Sequence, residues 1–208
     1  MKKIISIALV LALALSFAAC GSKSQPTSQA QPETEQKVTG QAQQSSETES
    51  DKKILTIYFS WSGNTDAFAN YIHNSAGGDI VRINPVKAYP ETYDEVVDLA
   101  KEEKNDDARP QFKDLGVNPE EYDVIFVGYP IWWYTLPMIM YTFFDTYDFS
   151  GKTLIPFNTH EGSGDGGTYD TIKEFEPKAT VLEGLAIRGG SIDGAESEVK
   201  EWLSGLQY

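Results

Sequence analysis

Residues 51–208 are predicted to fold as a doubly wound α/β domain, with helices on both faces of a five-stranded parallel sheet. Three observations predict this class. Short apolar runs rich in β-branched and aromatic residues alternate with stretches whose apolar residues recur at helical spacing. The runs lack the polar alternation of a strand with one solvent-facing side, which indicates burial on both faces. The 158 residues of this segment are enough to bury one complete core.

The five strands are expected at regular places along this segment. The clearest cover residues 54–60, with the sequence ILTIYFS, and residues 122–128, with the sequence YDVIFVG. The other three are expected at residues 79–84, at 152–158 and, as a broken strand, at 181–188. Apolar runs of this length suit strands inside a parallel sheet.

Five helices are expected between and after these strands, at residues 65–75, 91–105, 136–147, 168–175 and 193–206. The third begins with a proline in its first turn, where a missing N–H costs nothing. Ligands of doubly wound domains bind beyond the carboxyl ends of the strands. The loops to search for a site therefore follow Ser60, Gly128 and Thr159.

The first 50 residues indicate export and membrane anchoring rather than a folded domain. Residues 1–19, two lysines followed by an apolar run, are typical of a signal peptide. The run ends in Ala-Ala-Cys-Gly, which resembles the lipobox of bacterial lipoproteins, although Phe17 replaces the usual leucine. The resemblance implies a lipid anchor on Cys20, while the alternative is an ordinary cleavage site beside an incidental cysteine. Residues 20–50, poor in apolar side chains, are expected to be a disordered tether. The protein is thus expected to be extracytoplasmic and held at the cell membrane.

Composition excludes several kinds of chemistry. Cys20 is the only cysteine of the 208 residues, so a lipidated chain would have no thiol for disulfide exchange, an iron–sulfur cluster or nucleophilic catalysis. The two histidines, His73 and His160, are far apart in sequence, and no metal site is expected. Residues 51–208 contain 13 basic against 27 acidic residues, so neither nucleic acid nor an anionic lipid surface is an expected partner. Any redox chemistry would need an organic cofactor.

The first candidate loop joins the first strand to a helix N-terminus. It offers hydroxyls, one glycine and free backbone N–H groups but no lysine or arginine, which suits a phosphate. It is neither a Walker loop nor a dinucleotide fingerprint. Taken alone, it could equally be a tight turn capped by Ser62 or Asn64. The candidate residues are Ser60, Trp61, Ser62, Gly63, Asn64 and Thr65.

The second candidate loop follows the most apolar strand. Four aromatic side chains within residues 129–134 would be costly to expose unless they cover something flat. The alternative is that the two tryptophans only plug the end of the sheet. Trp132 is favoured as the contact to a flat ligand because it lies nearer the strand end. The candidate residues are Pro130, Ile131, Trp132, Trp133 and Tyr134.

The third candidate loop follows the fourth strand and is rich in glycine, which lets the backbone approach a ligand closely. His160 could donate a hydrogen bond to a ligand, and Glu161 could tune its pKa. His160 could equally be a solvent-facing loop residue. The candidate residues are Thr159, His160, Glu161, Gly162, Ser163 and Gly164.

Together, the three loops resemble the flavodoxin family. The first matches the flavodoxin pattern hydroxyl, any, hydroxyl, Gly, any, Thr, whereas Gly-Tyr-Pro-Ile-Trp-Trp and Thr-His-Glu-Gly-Ser-Gly are similar to one branch of flavodoxin-like bacterial proteins. The resemblance covers residues 53–206. It implies the strand order 2-1-3-4-5 and FMN as the cofactor, with its phosphate on the first loop and its ring framed by the other two. In the family an aromatic residue of the third loop often covers the outer ring face; here the nearest is Tyr169, so that face could be open.

The resemblance also bears on how FMN is held and what it does. Some exported flavoproteins carry FMN covalently at a pattern resembling Asp-Gly-x-Thr-Gly-Ala-Thr. Residues 165–171 have Tyr169-Asp170 in place of Gly-Ala, and a helix start explains their threonines, so noncovalent binding is expected. The implied function is electron transfer to redox partner proteins or small acceptors. Two alternatives stay open: an FMN-dependent quinone or nitro reductase, and a binding lipoprotein without flavin.

Overall fold

The structure, a computed structural model, describes residues 52–208. Its strands are β1 (Ile54–Tyr58), β2 (Asp79–Arg82), β3 (Val124–Pro130), β4 (Thr153–His160), β5 (Thr180–Val181) and β6 (Leu185–Arg188). Its α-helices are α1 (Asn64–Ala76), α2 (Tyr93–Asn105), α3 (Met138–Thr146), α4 (Thr168–Phe175) and α5 (Glu196–Gly205). The predicted signal peptide at 1–19, the anchor at Cys20 and the tether at 20–50 lie outside the described residues and stay predictions.

The sheet is parallel throughout and has the order β2-β1-β3-β4, with both β5 and β6 beside β4. β5 pairs with the first residues of β4 and β6 with its last four, so the two short strands share one position in the sheet. This confirms the doubly wound class, the order 2-1-3-4-5 and the broken fifth strand. Within residues 52–208, no helix has the length and apolar character to cross a membrane.

The element boundaries differ from the predicted ones mainly at the edge where the site was expected. β3 and β4 each continue two residues past their predicted ends, because their parallel pairing extends to Pro130 opposite Thr159. The Ile131 N–H still donates to the Thr159 carbonyl at 2.8 Å. The prediction that Pro130, Thr159 and His160 belong to loops was therefore wrong, since all three lie on strand ends. Elsewhere, α4 has the predicted bounds, and α3 and α5 are shorter than predicted.

The core consists of two apolar layers, one on each face of the sheet. Successive residues of a strand point to opposite faces. In β3, Ile125 and Val127 therefore pack towards α3 and α4, whereas Val124 and Phe126 pack towards α1 and α5. All four side chains are fully buried. Burial on both faces explains why the sequence of this strand is apolar without alternation.

Gly128 of β3 is required by close packing within the sheet. It pairs with Phe157 of β4, and a Cβ at position 128 would lie only 2.1 Å from the Phe157 ring. The ring has no room to retreat, because it is fully buried and packs 4.9 Å from the ring centroid of Phe68. A side chain at position 128 would therefore displace the core of this face.

We expect Gly128→Ala to lower the free energy of unfolding by about 1–3 kcal/mol, because the added methyl group overpacks this layer. Urea unfolding followed by circular dichroism measures the change. Gly205→Ala is the matched control, since a Cβ there meets nothing within 4 Å. Equal stability of the two variants would contradict the packing argument.

Candidate functional site

A cavity of about 810 Å3 opens at the carboxyl ends of β1, β3 and β4. The three loops predicted from the sequence meet there, and most of their candidate residues line it. These are Trp61, Ser62, Asn64, Pro130, Ile131, Trp132, Trp133, Tyr134, Thr159, His160, Glu161, Gly162 and Ser163. Four other candidates, Ser60, Gly63, Thr65 and Gly164, lie beside the cavity without lining it.

The cavity also has walls that the sequence analysis missed. One is formed by residues of α2, and Gly189 also lines the cavity; the α2 residues are Tyr93, Val96, Val97 and Ala100. From the sequence, these residues are expected only to belong to the helix at 91–105. Nothing in the sequence shows that this helix reaches the second loop. Gly189 directly follows the end of β6, so the rule of searching strand ends could have found it.

Ser60 organises the first loop from within. Its Oγ accepts hydrogen bonds from the N–H groups of Gly63 at 3.2 Å and Asp66 at 3.3 Å, and the residue is buried. Gly63 has a φ of 98°, in the left-handed region that glycine adopts without steric penalty. The cap of this turn is therefore Ser60 rather than Ser62 or Asn64. The hydroxyl of Ser62 stays exposed at the cavity.

The backbone of the first loop presents unused hydrogen-bond donors. Within residues 52–208, the N–H groups of Trp61, Ser62, Asn64 and Thr65 make no hydrogen bond. They lie at the N-terminus of α1, where the helix dipole favours negative charge. Free N–H groups at such a position bind phosphate or another anion.

The hydroxyl of Thr65 has a structural partner. It lies 2.8 Å from the hydroxyl of Thr159 at the end of β4, and both residues are buried. This hydrogen bond ties the first loop to the start of the third. Gly189 allows a second close approach, because a Cβ there would lie 2.4 Å from both the Asn64 Nδ2 and the Glu161 Oε1.

The second loop is a tight turn with unusual residues. Trp132 and Thr135 exchange two backbone hydrogen bonds of 3.0 and 3.1 Å, and the residues between them, Trp133 and Tyr134, have φ values of 49° and 59°. Two positive φ values define a type I′ turn, which normally favours Asn-Gly. Bulky residues in the left-handed region cost about 1–3 kcal/mol each. The surrounding structure must compensate for this strain.

Helix α2 supplies the compensation. The Trp133 indole Nε1 donates to the Val97 carbonyl at 2.9 Å, and the Lys104 Nζ donates to the Trp133 carbonyl at 2.7 Å. The Lys101 Nζ lies 5.1 Å from the centre of the indole ring, within cation–π distance. Tyr134, by contrast, is 74% exposed at the mouth of the cavity.

Trp132 both lines the cavity and packs into the core. Its ring lies edge-on to Phe59 at 5.4 Å and to Tyr89 at 5.1 Å. The Tyr89 hydroxyl donates in turn to Glu103 at 3.0 Å, and burial raises the pKa of this carboxyl group above its ordinary value. Trp132 therefore holds a fixed orientation. That it contacts a flat ligand stays a prediction.

A buried polar network fixes the third loop. Asn158 accepts a hydrogen bond from the Tyr169 hydroxyl at 2.6 Å and donates to the Gly164 carbonyl at 3.1 Å. The Thr168 hydroxyl donates to the Asp165 carbonyl at 2.6 Å, so the neighbouring Tyr129 hydroxyl is the donor in their 2.9 Å contact. Burial raises the pKa of both tyrosines well above the ordinary value, which keeps both hydroxyls protonated.

This network also determines where Tyr169 lies. Its ring packs against Gly184, where a Cβ would approach it to 2.6 Å, and it does not line the cavity. Thr168 begins α4 as expected, and its buried hydroxyl donates to the Asp165 carbonyl of the preceding loop. Among the described residues, the third loop therefore presents His160 but no Trp, Tyr or Phe to the cavity.

His160 has a defined tautomer. Its Nδ1 accepts a hydrogen bond from the Gly162 N–H at 2.9 Å, so the neutral ring carries its proton on Nε2. Because the residue lines the cavity, this Nε2–H is the donor available to a ligand. Glu161 lies 3.6 Å from the Arg188 Nε in a solvent-exposed ion pair.

The sheet and the cavity at its carboxyl edge define a doubly wound ligand-binding protein. A family model described as Flavodoxin matches residues 53–206, and the chain belongs to the flavodoxin family. Similar solved structures include a protein from Bacteroides eggerthii that was provisionally assigned as a flavoprotein. It is 32% identical and covers 74% of this chain and 97% of its own, with a TM-score of 0.63. A provisionally assigned flavoprotein from Bacteroides uniformis is 29% identical, with coverages of 74% and 98% and a TM-score of 0.66.

A flavoprotein from Lactobacillus acidophilus, solved in complex with FMN, shares the fold at 21% identity. It covers 73% of this chain and 99% of its own, with a TM-score of 0.57. A comparison with curated proteins finds no match. The resemblance inferred from the loops is thus confirmed at the level of the family.

We expect Tyr134→Gly to raise the free energy of unfolding by about 1 kcal/mol, because glycine removes the left-handed strain and the exposed ring contributes little packing. Tyr134→Ala is the matched control, since it removes the same ring but keeps a Cβ at this φ. Thermal unfolding of the protein without ligand measures both. Equal stability of the glycine and alanine variants would show that the turn is not strained.

Proposed function

We propose that the protein is a noncovalent FMN-binding flavoprotein that transfers electrons outside the cytoplasmic membrane. One observation carries the proposal. The N–H groups at the start of α1, which have no partner among residues 52–208, share a cavity with the aromatic second loop and the glycine-rich third loop. A phosphate receptor and walls suited to a flat ring therefore occupy one cavity, and FMN has these two parts.

The residues present fit FMN part by part. The N–H groups of Trp61, Ser62 and Asn64, which line the cavity, would bind the phosphate without any charged side chain in the loop. Trp132 and Trp133 offer aromatic surface to the ring. The Nε2–H of His160 offers it a hydrogen bond from the third loop. When bound, FMN accepts and donates electrons singly or in pairs.

The excess of acidic residues favours a carrier with a low reduction potential, which donates electrons readily. Residues 51–208 contain 27 acidic against 13 basic residues. An acidic surrounding disfavours additional negative charge on a reduced ring and so lowers its reduction potential. The recipients would be redox partner proteins or small electron acceptors.

A second candidate function is the reduction of quinones or nitro compounds. The position of Tyr169 favours it, since this side chain packs against Gly184 instead of entering the cavity. A ring face left uncovered by the third loop would be accessible to a flat substrate. Rapid oxidation of a nicotinamide cofactor in the presence of a quinone would support the reductase. A purified protein without any flavin absorbance would instead support a binding lipoprotein.

The first test concerns the phosphate. We expect Ser62→Ala to weaken FMN about tenfold to a hundredfold, because a charge-assisted hydrogen bond to the phosphate contributes about 1.5–3 kcal/mol. Riboflavin, which has no phosphate, should bind with unchanged affinity. Quenching of flavin fluorescence on titration with the purified protein measures both. Ser163→Ala, across the cavity, is the control and should not distinguish the two ligands. An equal loss of FMN and riboflavin in Ser62→Ala would contradict the assignment of the phosphate site.

The second test concerns location, which rests on the sequence of the first 20 residues. We expect Cys20→Ser to release the protein from the membrane fraction or to leave it unprocessed, because the acceptor of the lipid is lost. Fractionation of cells that express each form, with mass measurement of the product, distinguishes these outcomes. A processed Cys20→Ser protein that still sediments with membranes would contradict the lipid anchor.

A further inference from the structure

Arg82 lies beside the first loop although it is distant from the loop in sequence. It is the last residue of β2 and pairs in register with Tyr58 of β1. Its Nη2 donates a hydrogen bond of 2.6 Å to the Ser60 carbonyl, and its Nη1 lies 3.7 Å from the Asp66 Oδ1. The loop that contains no cation therefore receives one from the neighbouring strand.

The Ser60 carbonyl belongs to the same peptide unit as the Trp61 N–H. In a planar trans peptide the C=O and N–H groups point in opposite directions. A cation that donates to the oxygen draws electron density away from the nitrogen and makes the N–H a stronger donor. The Trp61 N–H is one of the unpaired donors at the start of α1 within residues 52–208. Arg82 thus contacts the oxygen side of this peptide and does not line the cavity.

The contact with Asp66 gives a second explanation for the position of Arg82 beside the first loop. The Asp66 carboxylate lies in the first turn of α1, close to where a phosphate would bind, and would repel it. The Tyr58 hydroxyl donates to this carboxylate at 2.6 Å, and Arg82 is also within ion-pair distance. Arg82 could therefore serve only to neutralise Asp66. The two explanations make different predictions when Asp66 is replaced.

The geometry points to Arg82 as a positioning residue for a phosphomonoester, acting through the Ser60–Trp61 peptide. The inference rests on the proposed binding of FMN and adds a residue to it. Arg82 raises the affinity for the phosphorylated flavin and leaves the affinity for riboflavin unchanged. A guanidinium suits this task because its planar donors reach the carbonyl while its charge stays fixed.

The test compares FMN and riboflavin binding in variants of the full processed protein. Arg82→Gln is expected to lower the affinity for FMN about three- to tenfold, because the charge of Arg82 acts on the phosphate only through the peptide. Riboflavin should bind as in the unaltered protein, which also shows that the variant is folded. Arg82→Lys keeps a charge and a donor and should lie in between. Arg109→Gln is the matched control, because Arg109 also pairs with aspartate and donates to backbone carbonyls, none of which belongs to the first loop.

Asp66→Asn separates the two explanations. If Arg82 acts through the peptide, adding Arg82→Gln to Asp66→Asn should still weaken FMN by a similar factor. No further loss in this background, or an equal loss for riboflavin in Arg82→Gln, would overturn the inference. If the unaltered protein binds FMN and the Arg82→Gln variant binds it equally well, only the role of Arg82 is overturned. A protein that binds neither FMN nor riboflavin contradicts the proposed function as well.

Discussion

The parallel pairing of β3 with both β1 and β4 is the constraint on which the cavity depends. Because the three strands run in one direction, their carboxyl ends meet at one edge although they are far apart in sequence. The hydrogen bond between the Thr65 and Thr159 hydroxyls and that from Ile131 to Thr159 then lock the three loops together. A change in strand register would separate the first loop, with its unpaired N–H groups within residues 52–208, from the aromatic second loop.

The sequence predicted most of the fold and the three loops because both follow from local pattern. Strands buried on both faces are apolar without alternation, and ligands of this fold bind beyond strand ends. The α2 wall, Arg82 and Gly189 escaped prediction because each depends on contacts between distant segments. The left-handed Trp133 and Tyr134 could not be foreseen either, since nothing local favours that backbone for aromatic residues.

Basic residues have a specific use in this acidic domain. Arg82 and Lys104 both donate to backbone carbonyls of the site loops, at Ser60 and Trp133, and Lys101 lies over the Trp133 ring. Arg82 and Lys104 thus hold the backbone of the site loops, and all three cations remain outside the lining of the cavity. The cavity thus gains rigid walls from positive charge without placing that charge in direct contact with a ligand. This arrangement suits a site that binds an anion through neutral donors, the backbone N–H groups and the Ser62 hydroxyl.

The broken strand formed by β5 and β6 affects how copies of the protein associate at high concentration. A long open strand at the edge of a sheet is a template on which another chain can add a strand and begin aggregation. Here the outer edge beyond β4 consists of two short segments, Thr180–Val181 and Leu185–Arg188, interrupted where Gly184 makes room for Tyr169. An incoming strand would find no continuous row of partners along this edge. The interruption that seats Tyr169 therefore also makes this edge of the sheet a poor template for edge-to-edge self-association.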